Sequence, residues 1–212
     1  MIYAYILIAL NILVSSKGFN DYSFFEKYKF NIASVRGGEQ IRILSSGFLH
    51  VDWAHLLFNM LTFYFFVDVI NRILGEWQMA VIYFVSLVVG NLLTLALHKN
   101  ESNYSAVGAS GAVTGILYAA ILLQPGMSLN LLFIPIPIPA YLFGICYLLY
   151  SIYGMKQRTD NIGHSAHFGG AIGGYAMALF FAPGLIQQNL LMVILLAIPI
   201  VILFVMHKTG KL

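Results

Sequence analysis

Residues 102–155 read SNYSAVGASGAVTGILYAAILLQPGMSLNLLFIPIPIPAYLFGICYLLYSIYGM, and the run holds no Asp, Glu, Lys or Arg. Residues 161–207 form a second such run. A bilayer core is crossed by about 20 apolar residues, so each run is long enough for two membrane helices. Over its 212 residues the chain is 60% hydrophobic and 9% charged, against roughly 25% charged in a soluble domain. So few charges cannot cover the surface of a water-soluble globule, and the chain is read as an integral membrane protein. Its formal net charge of +3 is too small an electrostatic footprint for a nucleic-acid partner, and its hydrophobicity excludes a disordered tail. Cys146 is the one cysteine; no intramolecular disulfide can form, and it reads as inert packing.

Apolar runs and turn signals divide the chain into seven spans. The first, Met1 to Val14, has neither a basic n-region nor a small-residue cleavage site, and is taken as a helix rather than a removed signal peptide. Residues 15–46 form a long connection in which Lys17, Asp21, Glu26, Lys27, Lys29, Arg36, Glu39 and Arg42 interleave with aromatic residues. That mixture suits the headgroup layer, so the loop should lie on the membrane. The later spans are Gly47–Ile70, Trp77–Leu97, Val107–Gln124, Leu131–Gly154, Ile162–Phe181 and Leu190–Met206. The entry of the fifth carries Pro135, Pro137 and Pro139. The fold expected is thus an all-α polytopic bundle with no room for a soluble domain.

Polar groups at membrane depth are costly and usually face a cavity or one another. The second span opens with HVDWAHLLFNM, which puts His55 and Asn59 on one helical face, with His50 off that face near the helix mouth. Gly108-Ala109-Ser110-Gly111 opens the fourth, and His164-Ser165-Ala166-His167 opens the sixth. All three spans are even-numbered and enter the bilayer from the same side. At 1.5 Å per residue, His55 and Asn59 lie roughly 12 to 18 Å into their span, and Ser110 and His167 within about 8 Å of the start of theirs. Gly170 and Gly174 share the face of His167, and Gly111 and Gly115 follow Ser110; such small-xxx-small patterns let backbones approach closely.

A close contact of the fourth and sixth spans would bring the Ser110 hydroxyl to His167 in the geometry of nucleophile and general base. No Asp or Glu lies in the sixth span, and Asp160 is the nearest in sequence, so the arrangement expected is a Ser-His dyad. The Ser110 backbone N–H, with Asn59, His55 and the Gly108 turn, would receive an oxyanion. Singly, a serine between small residues is more often a helix contact than a nucleophile, and a lone His or Asn more often an interhelical hydrogen bond. Their joint occurrence on three same-sided helices reverses that balance. A metal site from His50, His55, His164 and His167 is disfavoured, because the chain has no HExxH, no intramembrane carboxylate and no cysteine at ligand spacing; no cofactor is expected.

These motifs resemble those of the rhomboid family of intramembrane serine proteases, and the likeness runs from the first span to the end of the sixth. His55 and Asn59, preceded by His50, match its second span; Gly108 to Gly111 match its GxSG; Ala166, His167, Gly170 and Gly174 match its AHxxGxxxG. The resemblance implies a six-helix core over 1–183 with an added C-terminal transmembrane segment over 184–212. It implies a dyad of Ser110 and His167, acting on single-span or other transmembrane protein substrates in the lipid bilayer. It also implies bracing by the first loop, where Arg42 is kept while Ile41 replaces a Trp. Thr114 stands where many members have an aromatic ring stacked on the catalytic His, and Asn71 where a Glu is common.

Ten of the 11 Lys and Arg fall on the face of the first loop and only Arg72 on the other, which by the positive-inside rule would make that face cytoplasmic. If the seventh segment does not cross, the division is eight to three. The resemblance implies a plasma or inner membrane with the active site opening to the extracytoplasmic side. We follow it, because five of those charges sit beside three acids in a loop read as interfacial. The alternatives are a non-catalytic relative that binds and escorts membrane proteins, and a small transporter. Such relatives typically lack the Ser or the His, both present here, and no inverted repeat or coupling carboxylate supports transport.

Overall fold

The computed structural model describes residues 1–129, 136–157 and 162–211. Leu131, Pro135 and Asp160, singled out in the sequence, lie outside the described residues. In chain order the elements are α1 (Ile2–Asn20), α2 (Tyr22–Tyr28), β1 (Phe30–Asn31), α3 (Ile32–Arg36), α4 (Arg42–Ser45), α5 (Trp53–Ile73), α6 (Glu76–Leu97), β2 (Ser105–Ala106), α7 (Ser110–Leu123), β3 (Ser128–Leu129), β4 (Ile138–Pro139), α8 (Ala140–Gln157), α9 (His164–Phe181), α10 (Leu185–Gln188) and α11 (Leu190–Lys208). The protein is an all-α, multi-pass membrane protein. Helices α1, α5, α6 and α11 are each long and apolar enough to cross a bilayer.

Several span boundaries differ from the sequence reading, each for a local reason. Helix α1 continues to Asn20 rather than stopping near Val14, and Lys17 in its last turn lays its ammonium over the Phe24 ring at 4.5 Å. Helix α5 starts at Trp53 rather than Gly47, because the Asp52 carboxylate accepts from the His55 N–H at 2.7 Å and caps it. His55 and Asn59 therefore sit in its first two turns, shallower than expected. The fifth span begins at Ala140, after the three prolines, and β4 before it pairs antiparallel with β3. Cys146 is exposed on the outside of α8 rather than packed inside.

Helix α7 is the axle of the bundle. Every residue from Gly111 to Leu122 is buried, and α5, α6, α8 and α9 all pack on it. Fourteen residues make about 21 Å of helix, short of a core of about 30 Å, so one end of α7 must stop inside the bilayer. Helix α6 closes the group. A Cβ at Gly90 would stand 2.6 Å from the Ala166 carbonyl oxygen, and one at Gly173 would stand 2.8 Å from the Ser86 Cα. Helices α6, α7 and α9 are thus in backbone contact along the small residues Ser86, Gly90, Gly111, Gly115, Gly170 and Gly174.

The first loop is folded, and it reaches the start of α7. Strand β1 pairs antiparallel with β2, which ends two residues before Gly108. Arg42 is buried and donates to the Glu39 carboxylate at 2.6 Å and to the carbonyls of Glu26 and Lys29 at 2.8 Å each. A guanidinium is suited to this, since its fixed fork ties two backbone carbonyls and a carboxylate at once. Ile41 beside it is exposed.

Candidate active site

The entry to α7 is built by the first loop. Gly108 has φ +125°, a region that L side chains rarely adopt, and its N–H donates to the Ser46 carbonyl at 3.0 Å. The next N–H, of Ala109, points to Nε2 of fully buried His50 at 3.4 Å. His50 Nδ1 lies 2.8 Å from the Ser15 hydroxyl, which donates to the Phe48 carbonyl at 2.9 Å. Since Nε2 accepts, Nδ1 carries the proton and donates to Ser15. His50 therefore joins α1 and the first loop to the turn before Ser110, and it takes no place in the cavity that follows.

Ser110 is the first residue of α7, where among the described residues no side chain caps the helix and the first-turn N–H groups have no intrahelical carbonyl to reach. Across from it, His167 is the fourth residue of α9 and is buried. The Ser110 hydroxyl and His167 Nε2 are 2.6 Å apart. Gly170, one turn beyond His167, packs against the Gly111 carbonyl, and Gly174 against that of Gly115, each so closely that a Cβ has no space. The helix contact expected from the glycines and the hydrogen bond expected from the polar residues are thus one piece of geometry.

A cavity of 380 Å³ opens on these two residues, with His55, Asn59, Val107, Tyr147, Tyr150 and Gly163 in its wall. Asn59 is buried, and among the described residues its Nδ2 has no hydrogen-bond partner. The His55 ring comes up against Gly108: a Cβ there would stand 2.8 Å from His55 Cε1 and 3.6 Å from Ser110 Oγ. Glycine at 108 keeps that space empty between the two side chains. A second cavity, of 610 Å³, shares Val51, His55, Val107, Ile162 and Gly163 with the first and runs toward Phe25, Lys29 and Ser105. His164 lies edge-on to His167 with ring centroids 6.2 Å apart. Among the described residues no three His, Cys, Asp or Glu side chains gather where a metal ion could be held.

The position four residues after Ser110 is Thr114, and its hydroxyl donates back to the Ser110 carbonyl at 2.7 Å. The aromatic ring on His167 comes instead from α8. Tyr147 stacks on it at 5.7 Å, and the phenol oxygen is 2.8 Å from Nδ1. Sequence reasoning missed this residue. The signal available was the tyrosine row Tyr141, Tyr147, Tyr150 and Tyr153 on a membrane helix, which does not by itself show which hydroxyl faces inward.

With its three helix starts meeting at one cavity, the chain matches the Rhomboid domain family model over residues 37–184, and it belongs to that family. It is 29% identical over 175 residues to RHOMBOID-like protein 12, mitochondrial, of Arabidopsis thaliana, covering 76% of this chain and 52% of that protein. It is 30% identical over 144 residues to Rhomboid protease GluP of Bacillus subtilis, covering 68% of this chain and 26% of that protein. To Rhomboid protein 1, mitochondrial, of Saccharomyces cerevisiae the identity is 26%, covering 71% and 44%. The chain thus spans about half the length of these relatives or less.

Proposed function

We propose that the protein is an intramembrane serine endopeptidase that cuts transmembrane helices of membrane-protein substrates, with Ser110 as nucleophile and His167 as general base. The observation that carries this reading is the 2.6 Å hydrogen bond between Ser110 Oγ and His167 Nε2 at the wall of a cavity. A serine hydroxyl is a weak nucleophile at neutral pH, and a base at that distance removes its proton as the oxygen attacks.

Ser110 Oγ would bond to the carbonyl carbon of the scissile peptide while its proton passes to His167 Nε2. The oxyanion that forms would face the Asn59 amide, the His55 ring and the Ser110 N–H. A buried Nδ2 with no partner among the described residues supports this role for Asn59, because such a donor is costly unless something arrives to accept from it. His167 would then protonate the leaving amine, and a water deprotonated by His167 would hydrolyse the acyl-enzyme. A helix hydrogen-bonds its own carbonyls, so the substrate must unwind locally before one can reach Ser110. The adjoining 610 Å³ cavity supports a route for water and unwound chain.

We further propose a plasma or inner membrane location with the first-loop face extracytoplasmic. Reporter fusions in the loop around Lys27 and at the C-terminus test this, and a cytoplasmic signal from the loop would overturn it. Cleavage of a model single-span substrate in liposomes tests the activity: wild type should cut and Ser110→Ala should not, whereas equal cutting by both would remove Ser110 from the mechanism.

A further inference from the structure

His167 serves as a base only while an unprotonated Nε2 faces the Ser110 hydroxyl, and the partner of Nδ1 decides whether it does. That partner includes the Tyr147 phenol, 2.8 Å away and carried by a third helix. Helix α8 is fixed one turn earlier, where the Tyr118 hydroxyl of α7 donates to the Gly144 carbonyl at 2.9 Å. Gly144 and Tyr147 share a helix face, so this bond sets where Tyr147 falls.

The two ring nitrogens of a neutral imidazole divide the roles of donor and acceptor. In the dyad read above, Nε2 accepts from the Ser110 hydroxyl at 2.6 Å, so Nδ1 carries the ring proton and donates to the Tyr147 oxygen at 2.8 Å. The reverse tautomer would turn an N–H toward Ser110. Tyr147 also stacks on the imidazole at 5.7 Å, so one residue meets both the face and the Nδ1 edge of the ring.

We propose that Tyr147 is a positioning residue of the dyad: its phenol oxygen takes the hydrogen bond of Nδ1–H and its ring the face of the imidazole, holding the tautomer and ring orientation of His167, the task a carboxylate performs in a triad, without placing a charge in the membrane interior. This rests on the Ser110–His167 reading above. It also accounts for Thr114 at a position where an aromatic was expected, because the ring over His167 arrives from α8 instead.

The test uses the full chain with Tyr147→Phe, which keeps the ring and removes the hydroxyl, and Tyr147→Leu, which removes both. Cleavage of a model transmembrane substrate should lose about tenfold in kcat with KM unchanged, the loss of one hydrogen bond acting at the reacting step. In detergent micelles, 15N spectra of histidine-labelled protein should show His167 as the Nδ1–H tautomer in wild type and as a tautomer mixture in both variants, with the thermal midpoint held. An unchanged tautomer and kcat in both variants, or a lowered midpoint with an unchanged tautomer, would overturn the proposal. Full cleavage by Ser110→Ala would instead overturn the dyad, and the 15N spectra would still decide the role of Tyr147.

Discussion

Gly170 of α9 faces the carbonyl oxygen of Gly111 on α7 with no space for a methyl group between them. Ser110 precedes Gly111, and His167 lies one turn before Gly170, so this backbone contact sets the distance between hydroxyl and imidazole. The obstacle to a side chain is a carbonyl of a buried helix, which has no rotamer by which to yield.

Gly170→Ala should therefore push α9 away from α7. Overpacking of this kind costs about 1 to 3 kcal/mol, and a shift of about 1 Å at a reacting pair can cost a hundredfold in rate. Thermal unfolding in detergent and cleavage rate should fall together. An alanine accepted with full activity would show that the helices do not depend on this contact.

Asn59→Ala should separate activity from stability. Removing one oxyanion donor costs about a hundredfold or more in kcat, while no Nδ2 hydrogen bond is lost, because Nδ2 has none among the described residues. Unfolding should be unchanged or slightly harder. A large drop in the unfolding midpoint with modest loss of kcat would make Asn59 interhelical glue.

Ser15→Ala should act on the site from a distance. It removes the acceptor of the His50 Nδ1 proton, at 2.8 Å inside a fully buried group. A buried donor left unpaired costs about 1 to 3 kcal/mol. The thermal midpoint should drop, and Ser15→Thr, which restores a hydroxyl, should recover most of it. Equal midpoints for Ser15→Ala and wild type would show that His50 finds another acceptor.

Legibility in the sequence followed the physics of each feature. Charge-free runs and glycine spacings exposed the helices and the meeting of Ser110 with His167, because bilayer thickness and helix periodicity constrain both directly. The span starts were less legible, since Asp52 as a cap and the prolines before Ala140 act locally. The part played by α6 was readable in principle from Ser86 and Gly90, four residues apart, but its polar residues Ser86, Asn91 and Thr94 match no motif that points to chemistry. The β1–β2 pairing rests on two residues per strand, too few to leave a periodic trace. Tyr147 was hidden for another reason: its role depends on the rotation of α8, which is set by the Tyr118–Gly144 bond and not by any motif.

The central claim is that His167 makes Ser110 nucleophilic. Labelling the protein in membranes with a serine-directed fluorophosphonate, and mapping the adduct by mass spectrometry, tests it most directly. The account predicts an adduct on Ser110 in wild type that disappears in His167→Ala. Labelling of Ser110 that persists undiminished in His167→Ala, or a wild-type protein that takes no label at Ser110, would contradict it.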